Sequence, residues 1–199
     1  KEVSQFPVWA KMTPNVGDVA APATAAVQGG ADGISAINTI LSIVGIDLKT
    51  LRPLPTVEGH STPGGYSGQA VRPIALRQVM EIARTHRGVP VSGMGGIETG
   101  FDAAQFFLVG AHTVQICTGA MLRGYEIIDE LRCDLEKFMV DHKFERLTDF
   151  IGKSLPFFTT HRDLVERQLA AKAARVHGGR DGETWKGDIA RETSALSTN

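Results

Sequence analysis

The sequence predicts an α/β fold of parallel strands, about half of an eight-stranded β/α barrel. Two observations carry this. Short strand-like runs alternate with helical patterns four times between residues 7 and 142. Such alternation implies parallel strands joined by right-handed crossovers. The two later runs, Val89-Pro90-Val91-Ser92-Gly93-Met94-Gly95-Gly96-Ile97 and Thr113-Val114-Gln115-Ile116-Cys117-Thr118, each break into small residues ahead of a helical pattern. Consecutive strand ends of that kind leave backbone N–H groups free, and in a barrel they form a phosphate cup, usually after the seventh and eighth strands. Gly95-Gly96 alone implies only a tight turn; the pair of ends implies the cup. A doubly wound open sheet is the competing architecture, which the two consecutive late ends disfavour.

Pro7-Val8-Trp9-Ala10-Lys11-Met12 reads as a buried strand, ended by the turn Thr13-Pro14-Asn15. Asp18 suits the start of a helix over Val19–Val27, which Gly29-Gly30 stop. Ala31–Ile37 is the second strand, ending in Asn38-Thr39. From Ile40 to Gln69 the sequence reads as irregular, with Pro53, Pro55, Pro63 and the cluster Gly64-Gly65-Tyr66-Ser67-Gly68. A connection of that length is a functional loop, either a lid or a subunit contact. Helical periodicity over Pro73–His86 places Ile74, Leu76, Val79, Ile82 and Ala83 together. Strand Val89–Ser92, helix Thr99–Leu108, strand Thr113–Cys117 and helix Tyr125–His142 complete four units. Beyond these, Phe144–Ile151 and Asp163–Val176 read as helical. The expected organisation is residues 1–142 as the second half of a barrel, 143–176 as a helical extension and 177–199 as a polar tail or linker.

Composition excludes several classes of function. Of 199 residues 42% are apolar and 22% charged, as in ordinary globular chains, and the net charge of −1 gives no general pull toward nucleic acid or anionic membrane. Two cysteines, Cys117 and Cys133, make neither a disulfide framework nor a metal-binding spacing and fit a reducing cytoplasm. No run approaches the 18 or so apolar residues of a membrane span. The opening Lys1-Glu2-Val3-Ser4-Gln5, without Met, reads as an excerpt of a longer polypeptide. Half a barrel has open sheet edges, so it is expected to be part of a larger functional unit.

Barrel chemistry is done at the C-terminal ends of the strands. Here they offer Lys11, Asn38 with Thr39, Ser67-Gly68, Gly95-Gly96 and Cys117-Thr118. The set holds one cation, one amide, hydroxyls and backbone donors. It lacks a His-Asp pair, paired carboxylates and a metal cluster, which argues against triad hydrolysis, glycosidase chemistry and metal-assisted hydrolysis. A lone lysine among neutral donors suits a large, phosphate-bearing, electron-accepting ligand. Lys11 in an apolar strand implies a partner for its charge. Asn38 could equally cap a turn, and Cys117 reads as a small buried residue whose backbone is what matters. Cys133 reads as structural or surface, and His60, His112 and His161 have no assigned role.

The segments Ala10-Lys11-Met12-Thr13-Pro14-Asn15, Ala36-Ile37-Asn38-Thr39, Gly64 through Leu76, Gly95-Gly96-Ile97, Gln115-Ile116-Cys117-Thr118 and Ser154-Leu155-Pro156-Phe157-Phe158-Thr159-Thr160-His161 together resemble the flavin domain of dihydropyrimidine dehydrogenases. The resemblance is to the NAD-dependent catalytic subunits, within the dihydroorotate dehydrogenase-like FMN barrels, and covers nearly the whole chain. It implies an FMN-binding barrel that reduces uracil or thymine at the 5,6 double bond, or the reverse, in pyrimidine catabolism. It implies that Lys11 contacts the flavin ring, that Asn38 and Thr39 bind the pyrimidine, and that Ser67 and Gly68 lie against the flavin and its ribityl chain. It assigns the FMN phosphate to backbone donors of Gly95, Gly96, Cys117 and Thr118. Ile37 stands where a relative has Thr, which removes a side-chain hydrogen bond. The resemblance further implies a general-acid cysteine on a loop upstream of Lys1. It also implies [4Fe–4S] clusters and an NAD(H)/FAD-binding partner subunit outside this chain, and a homo- or hetero-oligomer. The chain alone is therefore expected to be inactive and to bind FMN weakly. The alternatives are a dihydroorotate dehydrogenase, a non-redox phosphate-binding isomerase or lyase with Lys11 as acid/base or Schiff-base group, and a non-catalytic interaction fragment.

Overall fold

The computed structural model describes residues 4–177, with side chains through residue 173. The expected polar tail lies outside the described residues, apart from His177. The described residues form two compact units, 4–157 and 158–177.

The first unit is built on four parallel strands in the order β1 (Trp9–Lys11), β2 (Gly33–Ala36), β7 (Val91–Met94) and β8 (Thr113–Gln115). Helices α1 (Ala20–Gln28), α2 (Arg72–Thr85) and α3 (Gly100–Leu108) make the crossovers. The predicted alternation is thus present: the chain supplies four β/α units of a β/α barrel. Asp18 Oδ1 accepts the Ala20 N–H at 2.8 Å, at the start of α1. Thr99 and Asp102 form a reciprocal capping box on α3. The fourth unit differs from expectation. Two helices follow β8, α4 (Thr118–Arg123) and α5 (Ile127–Asp141), because Gly124 at φ +78° breaks the path between them.

Strand side chains alternate between two faces. Ile34, Ala36 and Val91 point under the helices, where they meet Ala75, Val79, Ile82, Ala103 and Phe106 in a single core. Each large side chain buried there contributes roughly 1.5–3 kcal/mol. The other face carries Trp9, Lys11, Ser35, Ser92, Thr113 and Gln115, with Lys11, Ser35, Ser92 and Thr113 in register across the sheet. This polar face is the barrel's inner wall. Within this half of the barrel β1 is not the buried strand expected. It is a sheet edge, and Trp9 is 42% exposed although its ring lies over Gly33.

The segment 40–69 is also not irregular. It contains two antiparallel ribbons, β3 (Ile40–Ser42) with β6 (Gly64–Tyr66) and β4 (Gly45–Asp47) with β5 (Arg52–Leu54). Residues 143–157 pack onto α3 and α5. Phe150 is buried, with its ring 5.8, 5.4 and 5.1 Å from those of Phe107, Phe138 and Phe144. The helix expected over Phe144–Ile151 is only a 3-10 turn, Leu147–Asp149, since Lys143 takes φ +58° and the Asp149 carboxylate collects the Glu145 and Arg146 N–H groups.

In the second unit, α6 (His161–His177) starts at Thr160, whose hydroxyl accepts the Asp163 N–H, and carries the pairs Arg162–Glu166 and Asp163–Arg167. No helix among the described residues is long and apolar enough to cross a membrane.

Candidate active site

The C-terminal ends of the four strands surround a cavity of about 330 Å³. Its lining includes all nine residues singled out from the sequence: Lys11, Asn38, Thr39, Ser67, Gly68, Gly95, Gly96, Cys117 and Thr118. The volume falls at the low end of the roughly 300–1,000 Å³ of small-molecule sites.

Lys11 ends β1 on the inner face, beside Ser35 of β2. It is exposed to the cavity and makes no ion pair with another described residue. The partner expected for its charge is therefore absent among the described residues, and its ammonium is available to a ligand. Asn38 follows β2, with its backbone N–H on the Met12 carbonyl at 2.9 Å. Its Oδ1 accepts the Thr39 N–H at 2.9 Å. That bond leaves the Asn38 Nδ2 as a donor, beside the Thr39 hydroxyl.

Ser67 and Gly68 precede α2, and the Thr118 hydroxyl donates to Ser67 Oγ at 2.9 Å. Gly95 and Gly96 follow β7, with φ +133° and +74°. A Cβ on Gly96 would stand 2.6 Å from the Gly68 carbonyl oxygen, so the two loops meet only because that side chain is missing. The Gly95, Gly96 and Cys117 N–H groups take no partner among the described residues. Cys117 is exposed rather than buried, because β8 is the other open edge of the sheet; its thiol approaches the Met121 sulfur at 4.0 Å.

Three further residues shape the site without having been singled out. Arg72 in α2 pairs with Asp102 in α3 and donates to the Gly96 carbonyl at 3.4 Å. Gln69 donates to the Glu98 carboxylate at 2.8 Å on the cavity rim. Asn15 donates to the Thr39 carbonyl at 3.2 Å. The sequence signal for Arg72 was its place in the Gly-rich run before Pro73; for Asn15 it was only the turn Thr13-Pro14-Asn15. His86 bonds Thr24 and His112 bonds the Val91 N–H, both away from the cavity lining.

The family model for dihydroorotate dehydrogenase matches residues 1–139. The chain is 50% identical over 202 residues to the chloroplastic dihydropyrimidine dehydrogenase (NADP(+)) of Arabidopsis thaliana, covering 97% of this chain and 47% of that protein. It is 49% identical over 155 residues to the NAD-dependent dihydropyrimidine dehydrogenase subunit PreA of Escherichia coli, covering 76% and 38%. To the catalytic subunit of dihydroorotate dehydrogenase B (NAD(+)) of Pyrococcus horikoshii it is 41% identical over 155 residues, covering 78% and 49%. The chain thus spans about half or less of the length of these relatives. With four β/α units and a family match over most of its length, the chain belongs to the dihydroorotate dehydrogenase family.

Proposed function

We propose that this chain is part of a flavin-dependent oxidoreductase that reduces uracil or thymine to the 5,6-dihydropyrimidine, or runs the reverse. The observation that carries the reading is the convergence of nine residues of matching chemistry on one cavity, in a chain about half identical to two dihydropyrimidine dehydrogenases. The donor set fits FMN: unpartnered N–H groups at Gly95, Gly96 and Cys117 for the phosphate, hydroxyls at Ser67 and Thr118, and one unpaired ammonium at Lys11. When bound, the flavin supplies hydride transfer to or from the pyrimidine ring.

The chain's own residues do the rest. Lys11 places a fixed positive charge where negative charge grows as electrons arrive. The Asn38 amide and Thr39 hydroxyl orient the pyrimidine's amide–carbonyl edge. Gly68 and Gly96 let two backbones close on the cofactor. The proton for the opposite ring carbon is assigned to the upstream cysteine. Electrons from NAD(P)H are assigned to a FAD-binding partner and [4Fe–4S] clusters outside this chain, in a reducing compartment such as the cytoplasm.

Dihydroorotate oxidation is the second reading, favoured by the family match. It requires a cation for the substrate carboxylate, and Lys11 is the only basic residue in the described cavity lining. The full-length protein, assayed together with its FAD-binding partner and NADH or NADPH on uracil, thymine or orotate, is expected to form dihydrouracil or dihydrothymine and to release FMN on denaturation. Turnover confined to orotate and dihydroorotate would overturn the proposal.

A further inference from the structure

We propose that Asn15 is a positioning residue for substrate recognition: its side-chain amide fixes the loop that presents Asn38 and Thr39, and so sets where that edge stands relative to Lys11. The inference rests on the reading of Asn38 and Thr39 given above. Asn15 Nδ2 donates to the Thr39 carbonyl at 3.2 Å and the Thr13 hydroxyl oxygen at 3.1 Å. Its Oδ1 accepts the Leu41 N–H at 2.8 Å. Both ends of the amide are engaged, and the two backbone contacts bracket Ile40. One side chain from the loop after β1 therefore clamps the loop after β2.

The clamp is itself anchored. The Asn15 N–H donates to Thr13 Oγ1 at 3.2 Å, and the neighbouring Pro14 carbonyl accepts Gln78 Nε2 of α2 at 3.3 Å. Gln78 is 1% exposed, and its Oε1 has no partner among the described residues. The one hydrogen bond of the Gln78 side chain among the described residues is thus the one to Pro14, which ties the turn after β1 to α2.

The clamped loop is gripped from its far side as well. Ile40 and Leu41 pair with Tyr66 and Gly65. A Cβ on Gly65 would collide with Thr39 Oγ1, so the Thr39 side chain rests directly on that backbone. Removing the Asn15 amide releases one jaw of this grip without removing any of the nine candidate ligand contacts.

The test uses the flavin-loaded full-length protein, with uracil or thymine titrated against the flavin absorbance. Asn15→Ala is expected to raise the pyrimidine Kd and KM about tenfold, roughly the worth of one lost hydrogen bond, while kcat falls less than about threefold and flavin content is unchanged. Asn15→Asp, nearly isosteric, is expected to be as defective, because it sets two oxygens against each other at Thr39. Combined with Asn38→Ala, the Asn15→Ala effect should shrink to less than about threefold, since residues acting through one another are not additive. An unchanged Kd, full additivity, or loss of flavin in step with loss of affinity would overturn the proposal. A wild type responding to neither uracil nor thymine would overturn the functional reading and this inference with it. A responsive wild type matched by Asn15→Ala would overturn this inference alone.

Discussion

The Thr118 hydroxyl donates to Ser67 Oγ over 2.9 Å, joining the turn after β8 to the loop ahead of α2 across 51 residues of sequence. Both groups are solvent-accessible, so the bond contributes little to stability, about 1 kcal/mol at most. Its effect is to hold two cavity-lining loops in one geometry. Ser67→Ala and Thr118→Val should each leave the melting temperature within a few degrees of wild type. Each should weaken FMN binding to the apoprotein about tenfold, read from flavin fluorescence. Unchanged FMN affinity in both variants would remove these hydroxyls from the cofactor site.

Gly96 combines φ +74° with a would-be Cβ 2.6 Å from the Gly68 carbonyl and 3.0 Å from Gln69 Cα, both backbone atoms. Backbone cannot rotate aside as a side chain can. Gly96→Ala should therefore displace the loop, cost about 1–3 kcal/mol, and abolish flavin retention on gel filtration. Gly17→Ala, with nothing within 4 Å of its Cβ, is the control and should keep its flavin.

Lys11 is the one basic residue in the described cavity lining. Lys11→Met should slow flavin reduction by dihydropyrimidine about 10²–10³-fold, the usual scale for losing one preorganised charge or donor. Most of the bound FMN should remain, and rapid-mixing absorbance separates the two effects.

Arg72 pairs with Asp102, which is 6% exposed and also receives the Glu98 and Thr99 N–H groups. Arg72→Met leaves that carboxylate without its cation and should lower the denaturant-unfolding free energy by about 1–3 kcal/mol. Adding Asp102→Asn should restore part of the loss, because the amide carries no charge to compensate.

The Asp149 carboxyl is held below its ordinary value of 3.8, chiefly by the Arg146 N–H and further by that of Glu145. A folded value lowered in this way contributes stability that is fully present above the unfolded value. That contribution is lost as pH falls through the folded one. The Glu145 and Arg146 amide resonances should shift together on acidification, with a midpoint below 3.8; a midpoint at or above it would contradict the bonding described.

The barrel half was legible because runs that end in small or polar residues alternate with helical patterns along the chain, as at Gly95-Gly96 before α3. The cavity was legible for the same reason: strand ends of one sheet must lie side by side. The ribbons within 40–66 were not, since strands of three residues such as Arg52–Leu54 carry no readable alternation among prolines and glycines. The exposure of Trp9 and Cys117 was missed because Trp9 lies on one edge strand of this half-barrel and Cys117 just past the other, and apolarity reports a preference for burial rather than a place in the sheet. Asn15 and Arg72 were missed as site residues because their contacts reach loop backbone 24 residues away, and such bonds leave no periodicity.

The most direct measurement is anaerobic mixing of the oxidised, FMN-loaded full-length protein with dihydrothymine, dihydrouracil or dihydroorotate while the flavin absorbance is followed. Bleaching by either dihydropyrimidine, and none by dihydroorotate, is the outcome expected if the cavity joins flavin and pyrimidine as described. Bleaching by dihydroorotate alone would contradict it.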